Sequence, residues 1–95
     1  MPIYLLLSNL TPQGVQTLKS NPDRLRQVNS DVEELGARVL HQWVTLGPYD
    51  FVNVVEAPDL ETIARVAFNL EARGSTTIQT LSALTIDEFL SSIQR

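Results

Sequence analysis

Hydrophobic positions along the chain follow two rhythms, and where one gives way to the other marks the elements. Ile3 to Leu7 form an unbroken apolar run closed by Ser8 and Asn9, which predicts a buried strand. From Val15 onward the apolar residues fall at Val15, Leu18, Leu25, Val28, Val32 and Leu35, and those spacings are helical. Thr11 can cap such a helix with Pro12 at its first position, where the missing N–H costs nothing. Asn21-Pro22 interrupts the pattern, because Pro22 cannot donate a hydrogen bond or continue the helix easily. The pattern therefore predicts a short helix near 12–19. A longer one follows near 22–35, capped by Asn21 and ended by Gly36.

In "ARVLHQWVTL" the rhythm becomes strict alternation. Val39, His41, Trp43 and Thr45 would share one face, and Leu40, Gln42, Val44 and Leu46 the other. Gly47-Pro48-Tyr49 is a turn signal and "DFVNVVEA" a second strand, so the two form a hairpin. Pro58-Asp59 opens a helix with Asp59 as cap; Ile63, Val66, Ala67 and Leu70 are its buried stripe, and Gly74 ends it. "STTIQTLSAL" is a fourth strand. "TIDEFLSSIQR" begins with a capping box from Thr85 to Glu88, and Phe89 and Ile93 are expected to anchor this last helix.

Strand, helix, hairpin, helix, strand, helix is an α+β order. It predicts a ferredoxin-like βαββαβ unit over residues 1–95, as one domain with an extra C-terminal helix. Right-handed crossovers place both long helices on one sheet face. The other face is then open and largely apolar, and an exposed apolar sheet is a partner site by default. A chain of 95 residues also has little surplus core. Both points lead to the expectation that the protein associates with itself, as a homodimer or a higher homo-oligomer such as a trimer.

Composition narrows the function classes. There is no cysteine, which removes disulfides and thiolate metal sites. Seven Lys and Arg stand against eleven Asp and Glu, a net charge of −4, and Arg24 and Arg26 are the only close basic pair. Arg95 is one of the scattered remainder. Nucleic acid and membrane surfaces need clustered positive charge, so neither is expected as a partner. "MPIYLLLSNL" has no basic head and no cleavage pattern, and nothing nears the roughly 20 apolar residues of a membrane helix. A cytoplasmic location is the expectation.

The stretch "LGPYDFVNVVEAPD", followed by a helix, a glycine and "STTIQTLSALT", resembles the GYD-domain family of small bacterial proteins. Gly47, Tyr49 and Asp50 match its naming motif with Pro48 intervening, and Glu56 to Asp59 match a second block. "LTPQGVQTLKSNPDRL", with Gly14 and Lys19, is similar to its first-helix region. The resemblance implies a dimeric α+β barrel, in which two ferredoxin-like sheets pack face to face. It implies no settled activity, since the wider group includes cofactor-free monooxygenases, haem-dependent enzymes and amino-acid-binding regulators. Ser75-Thr76-Thr77 departs from a Gly-Asn pair common after the helix.

Candidate chemistry concentrates on the hairpin. Asp50 reads as a general base beside Tyr49, or as a turn residue accepting backbone hydrogen bonds; the second is favoured. Glu56, on a strand, needs a partner such as Lys19 or Arg38, or is a perturbed acid in a pocket. His41 beside Trp43 could shuttle protons or ligate haem, but it has no His or Cys companion for a metal site. Asn53 interrupts the apolar series facing away from Glu56; if buried, it needs an interface or a ligand to satisfy it. Tyr4 and Trp43 supply aromatic surface to core or interface. No cofactor or metal is expected. The favoured reading is a small oligomeric ligand-binding or assembly module without catalysis. Its rivals are a cofactor-free monooxygenase- or isomerase-like enzyme and a regulator that senses a small molecule between subunits.

Overall fold

The computed structural model describes residues 1–94; Arg95 lies outside the described residues. The elements run β1 (Ile3–Leu10), α1 (Pro12–Ser20), α2 (Arg24–Glu34), β2 (Arg38–Val44), β3 (Phe51–Glu56), α3 (Leu60–Ala72), β4 (Thr76–Ala83) and α4 (Ile86–Ile93). The four strands form one antiparallel sheet in the order β2-β3-β1-β4. This is the ferredoxin-like arrangement, with the first crossover broken into two helices and a helix added at the end.

The apolar run of β1 is divided by alternation. Tyr4, Leu6 and Ser8 are buried, opposite Val55, Asn53 and Phe51 of β3. They face the helices, and Tyr4 and Leu6 meet Val32 of α2 and Ile63 and Val66 of α3 in the core. Ile3, Leu5 and Leu7 point to the other side with Val52 and Val54. One strand therefore supplies both the core and the open face, which is why it reads as continuously apolar.

Most helix ends follow their sequence signals. Thr11 accepts from Gly14 N at 3.1 Å, Asp59 from Thr62 N at 2.8 Å, and Thr85 and Glu88 form the capping box. Gly36 closes α2 at φ 101°, a conformation that favours glycine. The start of α2 differs from expectation. Asn21 N donates to Thr17 O at 2.9 Å and its carbonyl accepts from Arg24 N at 3.0 Å, so Asn21 ends α1. Pro22 lies in the turn, and Asp23 is the N-cap, without a side-chain bond.

A second correction falls on β2. Val39 pairs with Val55 and His41 with Val54, so one extra residue, Leu40, is accommodated between them. Such a bulge shifts the alternation by one. Val39 therefore packs against the core, while His41 and Trp43 turn to the open face; the three do not share a face as strict alternation predicted.

At Gly14, α1 approaches the backbone before β4 closely. The glycine is buried, and a Cβ there would lie 2.0 Å from Ser75 O. Thr11 fixes the same junction, donating from N to Ser75 O at 3.0 Å and from Oγ1 to Gly74 O at 2.6 Å. No helix among the described residues is long and apolar enough to cross a membrane.

Candidate interaction surface

The polar residues of the hairpin separate into three places. At the loop end, Asp50 Oδ2 accepts from Leu10 N at 2.8 Å, and Asp50 N donates to Ser8 O at 2.9 Å and to Asn9 Oδ1 at 3.1 Å. Asn9 Nδ2 donates in turn to Pro48 O at 3.0 Å, and Thr45 Oγ1 to Tyr49 O at 2.6 Å. These bonds tie the β2–β3 loop to the end of β1. The Tyr49 hydroxyl reaches across to Gln79 of β4.

On the open face of the sheet stand His41, Trp43 and Glu56. The His41 and Trp43 rings stack, with centroids 5.4 Å apart and planes 8° from parallel. Glu56 is opposite Arg38 on β2, Oε1 to Nη1 at 3.8 Å, so Arg38 rather than Lys19 is its cation. On the helix side are Tyr4, within the core, and Asn53. Of the seven candidates, no acid, base and aromatic trio converges on one enclosed space. Among the described residues no three His, Asp or Glu side chains are grouped as metal ligands.

The open face is the main surface feature. Ile3, Leu5, Leu7, Val52 and Val54 form its centre, and Trp43, 52% exposed, and Leu81, 45% exposed, flank it on β2 and β4. Helix α4 adds a second apolar surface. Ile86, Phe89, Leu90 and Ile93 recur at helical spacing, yet no residue of the helix is buried. Phe89 and Ile93 therefore do not anchor α4 to its own domain, as the sequence pattern suggested. The radius of gyration, 14.4 Å, exceeds the roughly 12 Å of a compact chain of this length.

Sequence reasoning identified the open face but not that α4 leaves its apolar stripe exposed. The signal was present: apolar residues at 86, 89, 90 and 93 mark an amphipathic helix, but not whose surface that helix covers. It also missed the contact that makes Gly14 necessary, which depends on Ser75, far away in sequence.

Comparison with known proteins places this geometry. The family model described as the GYD domain matches residues 4–93. The chain belongs to the GYD-domain family. A similar relative of this GYD domain is "Glutamine synthetase and cystathionine beta-lyase binding protein" of Thermus thermophilus. It is 44% identical over 95 residues, 99% of this chain and 100% of that protein. Among solved structures, a Thermus thermophilus protein superposes with a TM-score of 0.57 at 23% identity, covering 90% of this chain and 95% of the other. At that identity the likeness speaks to the fold alone.

Proposed function

We propose that this GYD domain is a homo-oligomeric protein-binding module that docks on an enzyme of amino-acid metabolism and performs no chemistry itself. The observation that carries the reading is the open apolar sheet face, together with an α4 whose apolar stripe is not buried by any of the described residues. Burying such surfaces against a second copy stabilises both at roughly 25 cal/mol per Å² of apolar area removed from water. In this reading two copies pack sheet to sheet, and each α4 lies on its neighbour. The name of the 44% identical relative supports binding to other proteins as the function of the assembly.

The foreign partner then needs a surface outside the sheet interface. Helix α3 offers one: Leu60, 61% exposed, and Phe68, 73% exposed, lie about two turns apart on its outer side. The polar residues weigh against an enzyme, because catalysis needs at least two converging groups and the candidates here are divided between loop, open face and helix side.

The test is co-sedimentation of the purified chain with glutamine synthetase and, separately, with cystathionine beta-lyase. The expected result is a complex with at least one, lost on Phe68→Glu with the self-association intact. Failure to bind either enzyme, or equal binding by Phe68→Glu, contradicts the proposal.

A further inference from the structure

A cavity of about 100 Å³ lies beneath the helices, on the side of the sheet away from the open face. Its floor is formed by Leu6, Phe51 and Ile78, and its roof includes Leu18, Val28 and Leu70. About 10–15 Å³ on this measure admits a single water, so the cavity has room for a small organic molecule.

Two polar atoms on its wall lack hydrogen-bond partners. Asn53 Oδ1 is buried on β3 and accepts from no group among the described residues. The neighbouring carboxamide, Gln42, does not serve it; it pairs reciprocally with Asn29 instead, Asn29 Nδ2 to Gln42 Oε1 at 3.1 Å and Gln42 Nε2 to Asn29 Oδ1 at 3.3 Å. Arg73 Nη1, at the end of α3, is the second. Asp31 Oδ2 stands 2.9 Å from it, so the charge is met, but the N–H directions miss the carboxylate and no hydrogen bond forms. Arg24 brings a second guanidinium to the wall, so two cations line the cavity.

Buried polar atoms in folded proteins almost always have partners, and an orphan acceptor beside an uncompensated guanidinium on one apolar cavity is a specification for what would fill it. The acceptor asks for an N–H or O–H. Arg73 already has the Asp31 carboxylate; Arg24, whose Nη1 donates to the neutral Gln27 Oε1 at 2.9 Å, is the cation on the wall without a counter-charge among the described residues, and it asks for an anionic oxygen. The rest asks for a short alkyl body. We infer that this cavity is a small-molecule site for a short branched-chain carboxylic acid bearing a donor on its α-carbon, that is, a 2-amino or 2-hydroxy acid. Its carboxylate faces Arg24, and its donor faces Asn53. The site lies within one subunit, and the inference stands apart from the partner-binding reading because it uses the opposite side of the sheet.

The test is a ¹H–¹⁵N NMR titration of the full chain with three probes of one skeleton: L-valine, 2-hydroxyisovalerate and isovalerate. The expected result is saturable shifts at cavity-lining amides such as Ser8, Asn53 and Thr76 from at least one donor-bearing acid. Isovalerate, which leaves Asn53 unsatisfied, should bind at least about tenfold more weakly, because a site built around a hydrogen bond rejects the analogue that lacks it. A response to L-valine alone assigns the amino acid, and a response to 2-hydroxyisovalerate alone assigns the hydroxy acid. Asn53→Leu should erase the preference while holding or raising the melting temperature of the unliganded protein, since it removes an unpaired polar atom. Absence of saturable shifts from all three probes, shifts confined to the open face, or isovalerate binding as tightly as the others would overturn the inference. The three-probe comparison uses the unaltered chain, so it decides the matter even where the variant does not fold.

Discussion

Asp50 and Asp59 are both loop carboxylates that accept backbone N–H groups, and they do different work. Asp59 begins α3, accepting from the Thr62 hydroxyl at 2.6 Å and from Thr62 N at 2.8 Å. Those bonds, the hydroxyl's foremost, favour the charged form and hold the Asp59 carboxyl below its ordinary value. A carboxyl whose pKa is depressed on folding contributes stability that is present above its unfolded pKa, about 3.9, and lost as pH falls through the folded value. The melting-temperature gap between the wild type and Asp59→Ala should therefore be widest near neutrality and shrink in acid. A gap constant throughout the acid range contradicts this. Asp50 instead joins the β2–β3 loop to β1 through Leu10 N. Asp50→Ala should cost about 1–2 kcal/mol in urea unfolding, by stranding that N–H. Gly14 has no side chain to bond with, yet Gly14→Ala should cost about 1–3 kcal/mol, because the new methyl meets the Ser75 carbonyl and α1 must move. Unchanged urea midpoints would remove either claim.

Among the elements, those whose boundaries rest on local chemistry were legible in the sequence. The Asp59 cap, the Thr85–Glu88 box and the Gly36 stop are each decided within a few residues, and each lies where its signal stands. The strand order followed from the βαββαβ rhythm and crossover handedness. The start of α2 and the face of Val39 were not legible. Asn21 and Asp23 are both competent caps, and the choice depends on how α1 closes. A bulge of one residue at Leu40 leaves no mark in an alternating segment, yet it sends His41 to the open face. The candidate site was legible only in part: Asn53 was identified as needing a partner, while Arg73, its companion on the cavity wall, is brought there by α3 and carried no sequence signal. For α4, apolar spacing predicted a helix but not whose surface it covers. If it packs on a second copy, Phe89→Ser with Ile93→Ser should weaken self-association at least about tenfold while leaving the far-ultraviolet circular dichroism of the body unchanged, since both side chains are half-exposed or more within one chain. Loss of the body's fold would show instead that α4 stabilises its own domain.

For the whole molecule, the sheet divides two tasks. Its helix side carries the core and the small cavity; its open side presents an apolar surface, which is proposed, together with α4, for a second copy. A net charge of −4 does not prevent such packing, because the centre of the open face is uncharged and its ion pair, Arg38 with Glu56, bridges the edge strand β2 to β3. The partner-binding proposal depends on this division, since a sheet face left free in solution would compete with α3 for any docking enzyme. The most direct test is sedimentation velocity of the purified protein at micromolar concentration. The account predicts a species of at least twice the 10.6 kDa chain mass, reduced to a folded 10.6 kDa monomer by Trp43→Glu with Leu81→Glu. A clean 10.6 kDa species from the unaltered protein contradicts it.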